Sequence, residues 1–298
     1  MPVRALPFYK LSPGGNPTIL VHDNALFDST NDMSRIRATI AKEMMAPDHL
    51  GAEQVGFLDT SRILPHIEMM GGEFCLNATR SAAFIFALLN LLPHAPHEPK
   101  CHEGEITTSG MNHPLRVRVA AAPSMGSALS PTMTREVAVA LHLPVAPELV
   151  HYCRPDEILV RLPGITHLLL DTTTHPLPEN PLAAAAAKRA EYGLDEEEAT
   201  GVIWHCPYPE APGSRRILPV VRVRETGSST VETACGSGSL ALALLLAKNG
   251  GNTFTIYQPS GHSITVRFES LFPSGNTILA WVNGIVLLRA QGLAHLDI

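Results

Sequence analysis

Two cysteines, Cys75 and Cys235, occupy matching positions in the sequence. The first lies in GGEFCLNATRSAAF (residues 71–84) and the second in ETACGSGSLALALLL (residues 232–246). Each thiol has a glycine close by and comes shortly before an apolar run that predicts a helix. A helix N-terminus carries unpaired N–H groups and a partial positive charge, which favour a thiolate and can also bind a carboxylate. The pattern therefore predicts two activated thiols.

Two such thiols could invert a carbon centre. A thiolate on one face of the carbon removes a proton, and a thiol on the other face returns one. The two groups must differ in protonation and would titrate as a coupled pair. N–H groups that hold the substrate carboxylate would stabilise the charge that moves out of Cα. The prediction is a reaction without a cofactor, and the sequence has no P-loop or dinucleotide-binding fingerprint in context.

The other three of the five cysteines are interpreted as structural. Cys101, Cys153 and Cys206 sit in loops or strands with no glycine-helix context, and each has a histidine within two residues. No CxxC or HxxxH spacing accompanies them, so no metal site is predicted. A cysteine before a helix is more often structural than catalytic when it stands alone. The matched pair, one in each half of the chain, reverses that expectation.

The elements that would position the two thiols repeat along the chain. Cys75 and Cys235 are 160 residues apart (235 − 75), close to half of the 298 residues. Apolar helices are expected over residues 78–92 and 239–248, and alternating segments such as LRVRVAAA predict half-buried strands. Residues 93–104, rich in proline and histidine, predict a loop, and Asn180-Pro181 predicts the start of an alanine-rich scaffold helix. The repeated order of strands and helices in the two halves indicates a duplicated α+β unit.

The composition and charge of the chain argue against several kinds of binding partner. The net charge is −6 and no basic block occurs, which argues against nucleic acid as a partner. No apolar run reaches the ~20 residues needed to cross a bilayer, so no membrane association is expected. The odd number of cysteines argues against a secreted disulfide framework. We expect a cytoplasmic protein.

Six segments of the chain belong together: GGNPTILV, GAEQVGFL, GGEFCLNATRSAA, PGITH, RVRETG and ETACGSGS. They resemble the motifs of the diaminopimelate epimerase-like superfamily of cofactor-independent, two-cysteine racemases and epimerases. The resemblance covers most of the chain, and ETACGSGS is its most specific part. It implies an α+β fold of two pseudo-symmetric domains, each a β-sheet or β-barrel wrapped around a central apolar helix, with the active site in the cleft between them. The implied domains are residues 1–124, completed by a C-terminal strand at about 280–298, and residues 125–279.

The resemblance also implies roles for residues of this chain. Cys75 and Cys235 would be the acid/base pair, His167 would assist Cys75, and Glu225 would assist Cys235. The substrate would be a small-molecule amino acid and the assembly could be a homodimer. The implied substrate-binding residues supply backbone N–H groups for the α-carboxylate or line the pocket: Asn16, Glu53, Leu76, Asn77, Gly236 and Ser237.

Departures from the family pattern bear on the substrate. Diaminopimelate epimerases typically carry an arginine after the motif glutamate and an asparagine two residues before the motif histidine. Here these positions are Thr226 and Ile165, so two contacts to a distal carboxylate are missing. The sequence resembles the branch that includes histidine racemases of opine-type metallophore synthesis, and histidine is the leading predicted substrate.

Four alternatives remain at this stage. Two are enzymes of the same fold: diaminopimelate epimerase itself, and a proton-shifting isomerase of the phenazine-biosynthesis type, which would lack the second cysteine. The other two are an amino-acid-binding regulatory protein and a thiol-redox protein.

One neighbour of Cys75 is unusual. The family commonly has glycine directly after the first cysteine, where this chain has Leu76. Leucine would be strained there if the position required a positive φ, and unstrained if it is an ordinary first helical residue.

Overall fold

The computed structural model describes residues 3–22, 33–122, 133–144, 149–269 and 277–297. It has an α+β fold, as the sequence predicts. The helices are α1 (Met33–Met45), α2 (Leu76–Leu88), α3 (Pro181–Glu191) and α4 (Gly236–Ala247). The strands are β1 (Val3–Pro13), β2 (Thr18–His22), β3 (Gln54–Asp59), β4 (His66–Met69), β5 (His94–Ala95), β6 (Glu98–Thr108), β7 (Leu115–Ala121), β8 (Thr134–Pro144), β9 (Val150–Arg154), β10 (Glu157–Leu162), β11 (Ile165–Asp171), β12 (Ala199–Pro207), β13 (Arg215–Val223), β14 (Ser228–Val231), β15 (Thr253–Tyr257), β16 (Ser263–Glu269) and β17 (Thr277–Asp297).

The chain divides into two compact units. The first comprises Met1–Val139 with Gly284–Ile298, and the second is Ala140–Asn283. The chain therefore passes from one unit to the other inside β8 and again inside β17. The boundary expected near residue 124 lies outside the described residues.

The first unit is a mixed sheet around α2. Its strands follow the order β17, β1, β2, β3, β4, β6, β7, with β2–β3 and β4–β6 parallel and the other pairs antiparallel. Helix α2 packs against β1, β2, β3, β4, β6 and β7, so the sheet surrounds it. Its buried face includes Phe84, Ile85 and Phe86. Helix α1 packs elsewhere, in a cluster of Ile40 and Met44 with side chains of β1, β2 and β3.

The second unit has a related layout around α4. Its strands run in the order β9, β10, β11, β12, β13, with β11–β12 parallel, and β13 continues to β14 and β15. Helix α4 packs against β10, β11, β15 and β16. Helix α3 packs on β12, β13 and β14, where Ala185 joins a cluster that contains Leu168, Val202 and Trp204. Because side chains alternate along a strand, the neighbouring residues His167 and Ile203 face away from the α3 cluster.

One local prediction is wrong. Residues 93–104 are not a loop, because they contain β5 and the first seven residues of β6. Cys101 is buried there, and β6 pairs with β7 through His102 and Val119. Tertiary pairing thus overrides the proline-rich composition. The predicted start of α3 is correct, since Asn180 is its N-cap and Pro181 its first residue.

Candidate active site

Cys75 is the N-cap residue of α2. Its backbone is extended (φ −131°, ψ 112°), and its sulfur accepts a hydrogen bond from the Ala78 N–H at 3.5 Å. The Thr79 hydroxyl donates to the Cys75 carbonyl at 2.7 Å. Glycine before the cysteine and an apolar run after it produce this cap, because the chain must leave an extended segment and enter a buried helix at one residue. The thiol is partly exposed, so a ligand can reach it.

Cys235 caps α4 in the same way. Its backbone angles are φ −133° and ψ 108°, and its sulfur accepts from the Gly238 N–H at 3.3 Å. The Ser239 hydroxyl donates to the Cys235 carbonyl at 2.7 Å. In each unit, the hydroxyl group of the residue four positions after the cysteine donates to the cysteine carbonyl. The two units build the same thiol-at-helix-start arrangement, which places each sulfur against the positive end of its helix.

A polar network not identified from the sequence holds the Cys75 thiol. The Cys75 S–H donates to Gln54 Oε1 at 2.8 Å. The Gln54 amide donates to Asn16 Oδ1 at 2.9 Å and to Thr18 Oγ1 at 2.7 Å, which leaves its carbonyl for the thiol. Asn16 in turn donates to Glu53 Oε2 at 2.6 Å. The structure therefore brings Asn16, Glu53 and Cys75 into one cluster through Gln54.

Another glutamine fixes the start of α4. Gln258 Oε1 accepts from the Cys235 backbone N–H at 2.9 Å, and its amide donates to Ser239 Oγ, also at 2.9 Å. The side chain is buried and bridges the first turn of the helix to the end of β15. This contact was not predicted, because the two segments meet only in the folded chain.

The Cys235 thiol lies in an environment that favours its protonated form. Its side chain is only 3% exposed, and burial raises its pKa well above the ordinary value. The carboxylate of Glu232, three residues earlier, raises the pKa further by its charge and by a hydrogen bond to the thiol. Contacts to Ser237 and the Gly238 N–H act in the opposite direction but are weaker. Burial and Glu232 therefore keep the Cys235 thiol protonated, contrary to the lowered pKa expected of a thiol at a helix start.

Glu225 is exposed in the turn between β13 and β14, and its predicted assistance to Cys235 remains a prediction. The carboxylate that raises the pKa of Cys235 is that of Glu232. The signal that could have identified Glu232 is its position in the same short motif, ETACGSGS.

His167 is fully buried in β11, in the same unit as Cys235. Burial lowers its pKa to about 3, so the imidazole is neutral at physiological pH. Within the described residues neither ring nitrogen has a hydrogen-bond partner. The ring occupies the space above Gly201 on β12, where an added Cβ would lie 2.1 Å from Nδ1. Its predicted assistance to Cys75 remains a prediction.

The residues just after the two cysteines form the first helical turns. Leu76 is the first residue of α2, is 1% exposed and has no positive φ, so it is an unstrained helical residue with a buried side chain. Asn77 is also buried, and Gly236 and Ser237 take the corresponding places in α4. The opening N–H groups of a helix lack intrahelical acceptors, which makes both turns suitable for a carboxylate.

A buried acid close to Cys75 gives a testable pH dependence. Burial raises the pKa of Glu73 to about 6, and the charge of Glu68 adds to the shift while a hydrogen bond from Gly71 N–H opposes it. The folded state then binds the Glu73 proton more tightly than the unfolded state does. Its contribution to stability is complete below the ordinary pKa of 4.5 and is lost as the pH rises through 6.

Replacing Glu73 with Gln should remove this loss. Between pH 4 and 7 the free energy of unfolding of the native chain should fall by about 2 kcal/mol relative to that of Glu73→Gln, as measured by urea denaturation. If the free energy of unfolding changed with pH in the same way in both proteins, the raised pKa of Glu73 would be contradicted.

A cavity of about 220 Å³ also opens in the second unit. Trp204, Cys206, Arg216, Tyr257 and Gln258 are among its lining residues, but neither Cys235 nor His167 is. Among the described residues no helix is long and apolar enough to cross a membrane, and no group of three metal-binding side chains occurs.

The fold matches solved structures over nearly the whole chain. A hydroxyproline epimerase from Agrobacterium vitis, solved with bound trans-4-hydroxy-L-proline, superposes with a TM-score of 0.62 at 10% identity and covers 99% of this chain and 94% of its own. The Bacillus anthracis phenazine biosynthesis protein of the PhzF family gives 0.58 at 9% identity and covers 99% of both chains. At these identities the likeness is one of fold.

The sequence comparisons show an isomerase of the amino-acid racemase class. The chain belongs to the histidine racemase CntK N-terminal domain family, whose profile matches residues 5–295. A histidine racemase from Fusobacterium nucleatum subsp. nucleatum is 28% identical over 261 residues, which is 87% of this chain and 88% of that protein. A histidine racemase from Staphylococcus aureus is 42% identical over 82 residues, 26% of this chain and 28% of that protein.

Proposed function

We propose that this protein racemises histidine at Cα without a cofactor, with Cys75 and Cys235 as the acid/base pair. The observation that carries the proposal is the matched pair of cysteine N-caps, each on the central helix of its unit. Histidine is supported by the family and by relatives named as histidine racemases. The apolar Ile165 and the hydroxyl of Thr226 also favour a substrate without a distal carboxylate.

The mechanism begins with the substrate carboxylate at the helix starts. N–H groups at Leu76, Asn77, Gly236 and Ser237 are the proposed donors, and the partial positive charge of the helices supports the anion. As one sulfur takes the Cα proton, charge moves into the carboxylate, where these donors stabilise it. The other thiol then gives its proton to the opposite face, and the configuration is inverted.

The cluster around Cys75 suits the recognition of an amino acid. Glu53 is partly exposed and accepts a hydrogen bond from the buried Asn16. The Glu53 carboxylate is the proposed partner of the substrate's α-ammonium group. Gln54 orients the Cys75 sulfur, and the partly exposed thiol is the group that substrate would meet.

Substrate identity has a direct test. The purified protein is incubated with single L-amino acids, and the D-enantiomer of each is measured by chiral chromatography. We expect D-histidine to form at least tenfold faster than the D-form of any other amino acid, while diaminopimelate stays unchanged. Equal rates for many amino acids would contradict histidine specificity, and epimerised diaminopimelate would favour the alternative of a diaminopimelate epimerase.

The role of Glu232 can be separated from that of Glu225. Because the Glu232 carboxylate raises the pKa of Cys235, Glu232→Gln should move the pH midpoint of Cys235 alkylation downward. Mass spectrometry of the Cys235 peptide after iodoacetamide pulses at several pH values measures this midpoint. Glu225→Gln, which alters an exposed carboxylate of the same unit, is the matched comparison. A shift in Glu225→Gln and none in Glu232→Gln would assign the assisting role to Glu225.

A same-fold isomerase that only shifts a proton is the second candidate, since the PhzF-family protein and a methylitaconate Δ-isomerase share the fold. The cysteine at each helix start favours the racemase. We further propose a cytoplasmic location, a homodimeric assembly and a role of the D-histidine product in opine-type metallophore synthesis, all supported by the family resemblance.

A further inference from the structure

Arg80 is an arginine held entirely inside the first unit. It is the largest of the fully buried side chains and has no measurable exposure. It lies on α2, five residues after Cys75 (80 − 75). Burying a guanidinium is costly unless it is paired, and such side chains normally bind a carboxylate. This position therefore requires a physical explanation.

No carboxylate balances this charge within the part of the chain that the structure describes. One terminal nitrogen donates to Asn77 Oδ1 at 2.9 Å. The Nε and the other terminal nitrogen have no hydrogen-bond partner among the described residues. Of the other ionisable groups near α2, Arg135 lies over the Phe84 ring at 5.6 Å, and Glu73 accepts from the Gly71 N–H.

The contact to Asn77 holds the Arg80 guanidinium at the first turn of α2, the turn that Cys75 caps. Burial lowers the pKa of Arg80 to about 10, and the Cys75 thiolate opposes that shift. The arginine therefore stays charged near neutral pH. Attraction between two groups is mutual, so the guanidinium must favour the thiolate of Cys75 as much as the thiolate favours the guanidinium.

The matching helix has no such cation. The position five residues after Cys235 is Leu240, which is also fully buried. The second thiol instead has the Glu232 carboxylate as its neighbour. The two cysteines are alike in geometry but differ in the sign of the nearby charge.

We propose that Arg80 is a positioning residue that stabilises the thiolate of Cys75 and thereby makes Cys75 the resting base and Cys235 the resting acid. The Gln54 carbonyl, which accepts from the thiol, acts against Arg80. The two influences together keep both protonation states of Cys75 accessible, as a group that must take and return a proton requires. This inference rests on the proposed acid/base role of Cys75.

The test measures thiol ionisation without any racemisation assay. Iodoacetamide pulses across pH, followed by mass spectrometry of the Cys75 peptide, give the alkylation midpoint in the full-length protein. In Arg80→Met the midpoint should rise by about one pH unit or more, whereas Arg80→Lys, which keeps a cation, should stay close to the native value. Arg135→Met removes a partly exposed guanidinium that packs on the same helix and should leave the midpoint unchanged.

A second variant covers the case in which Arg80→Met fails to fold. Asn77→Asp supplies a carboxylate to the existing Arg80 contact and should neutralise its field while keeping the pair buried. It should also raise the Cys75 midpoint. Folded Arg80→Met or Asn77→Asp protein with a native midpoint would overturn the proposal. A raised midpoint in a protein that racemises no amino acid would uphold the role of Arg80 and refute the proposed function instead.

Discussion

Replacing either Cys75 or Cys235 with serine is expected to lower the rate of histidine racemisation by about 10²- to 10⁴-fold. A serine hydroxyl keeps the N-cap hydrogen bond, because serine is a preferred capping residue, so the helix should survive the change. It is a far weaker acid than a thiol and cannot supply a thiolate-like base near neutral pH. Chiral chromatography of histidine after incubation measures the loss.

Matched controls are available in the same chain. Cys153→Ser changes an exposed thiol and Cys206→Ser a partly exposed one, and both should retain the native rate. Thermal unfolding should show that the Cys75 and Cys235 variants remain folded. Native racemisation by a folded Cys75→Ser or Cys235→Ser protein would rule out that cysteine as an acid/base group.

Among glycine-to-alanine substitutions in the second unit, Gly201→Ala should lower the stability of the fold the most. The added Cβ would lie 2.1 Å from His167 Nδ1 and 2.6 Å from its Cε1, distances that real carbon atoms do not reach. His167 is fully buried, so the ring cannot swing out into solvent to relieve the overlap. We expect a loss of about 3 kcal/mol or more in the free energy of unfolding, measured by urea denaturation.

Two further variants show whether the imidazole is the cause. Gly292→Ala, in β17, meets the nearest atom of Phe8 at 3.5 Å, an ordinary contact, and should change stability little. In a His167→Ala background the cost of Gly201→Ala should largely disappear, because the space that the ring occupied becomes available. Equal urea midpoints for Gly201→Ala and the native chain would refute the packing argument.

The sequence predicted the two cysteine-capped helices because the signal is local. A small or extended segment, a capping residue and an apolar run follow one another within about a dozen residues around Cys75 and Cys235. Asn180 and Pro181 identified the start of α3 for the same reason. The α+β class followed from the alternation of these helices with strand-like segments.

What the sequence missed depends on contacts between distant segments. The Gln54 contact to Cys75 spans 21 residues, and the Gln258 contact to Cys235 spans 23. Arg80 was not singled out, because its burial results from the strands that surround α2. The strand at Glu98–Thr108 was missed because its composition indicated a loop, whereas its pairing with β7 decides its structure.

Solvent deuterium provides the most direct test of the two-thiol mechanism. L-Histidine is incubated with the protein in D2O, and both enantiomers are separated and analysed for Cα deuterium during the first few per cent of conversion. We expect deuterium in the D-histidine product and almost none in the recovered L-histidine, because the thiol that returns a proton differs from the one that removed it. Deuterium entering both enantiomers equally from the start, or D-histidine that carries none, would contradict it.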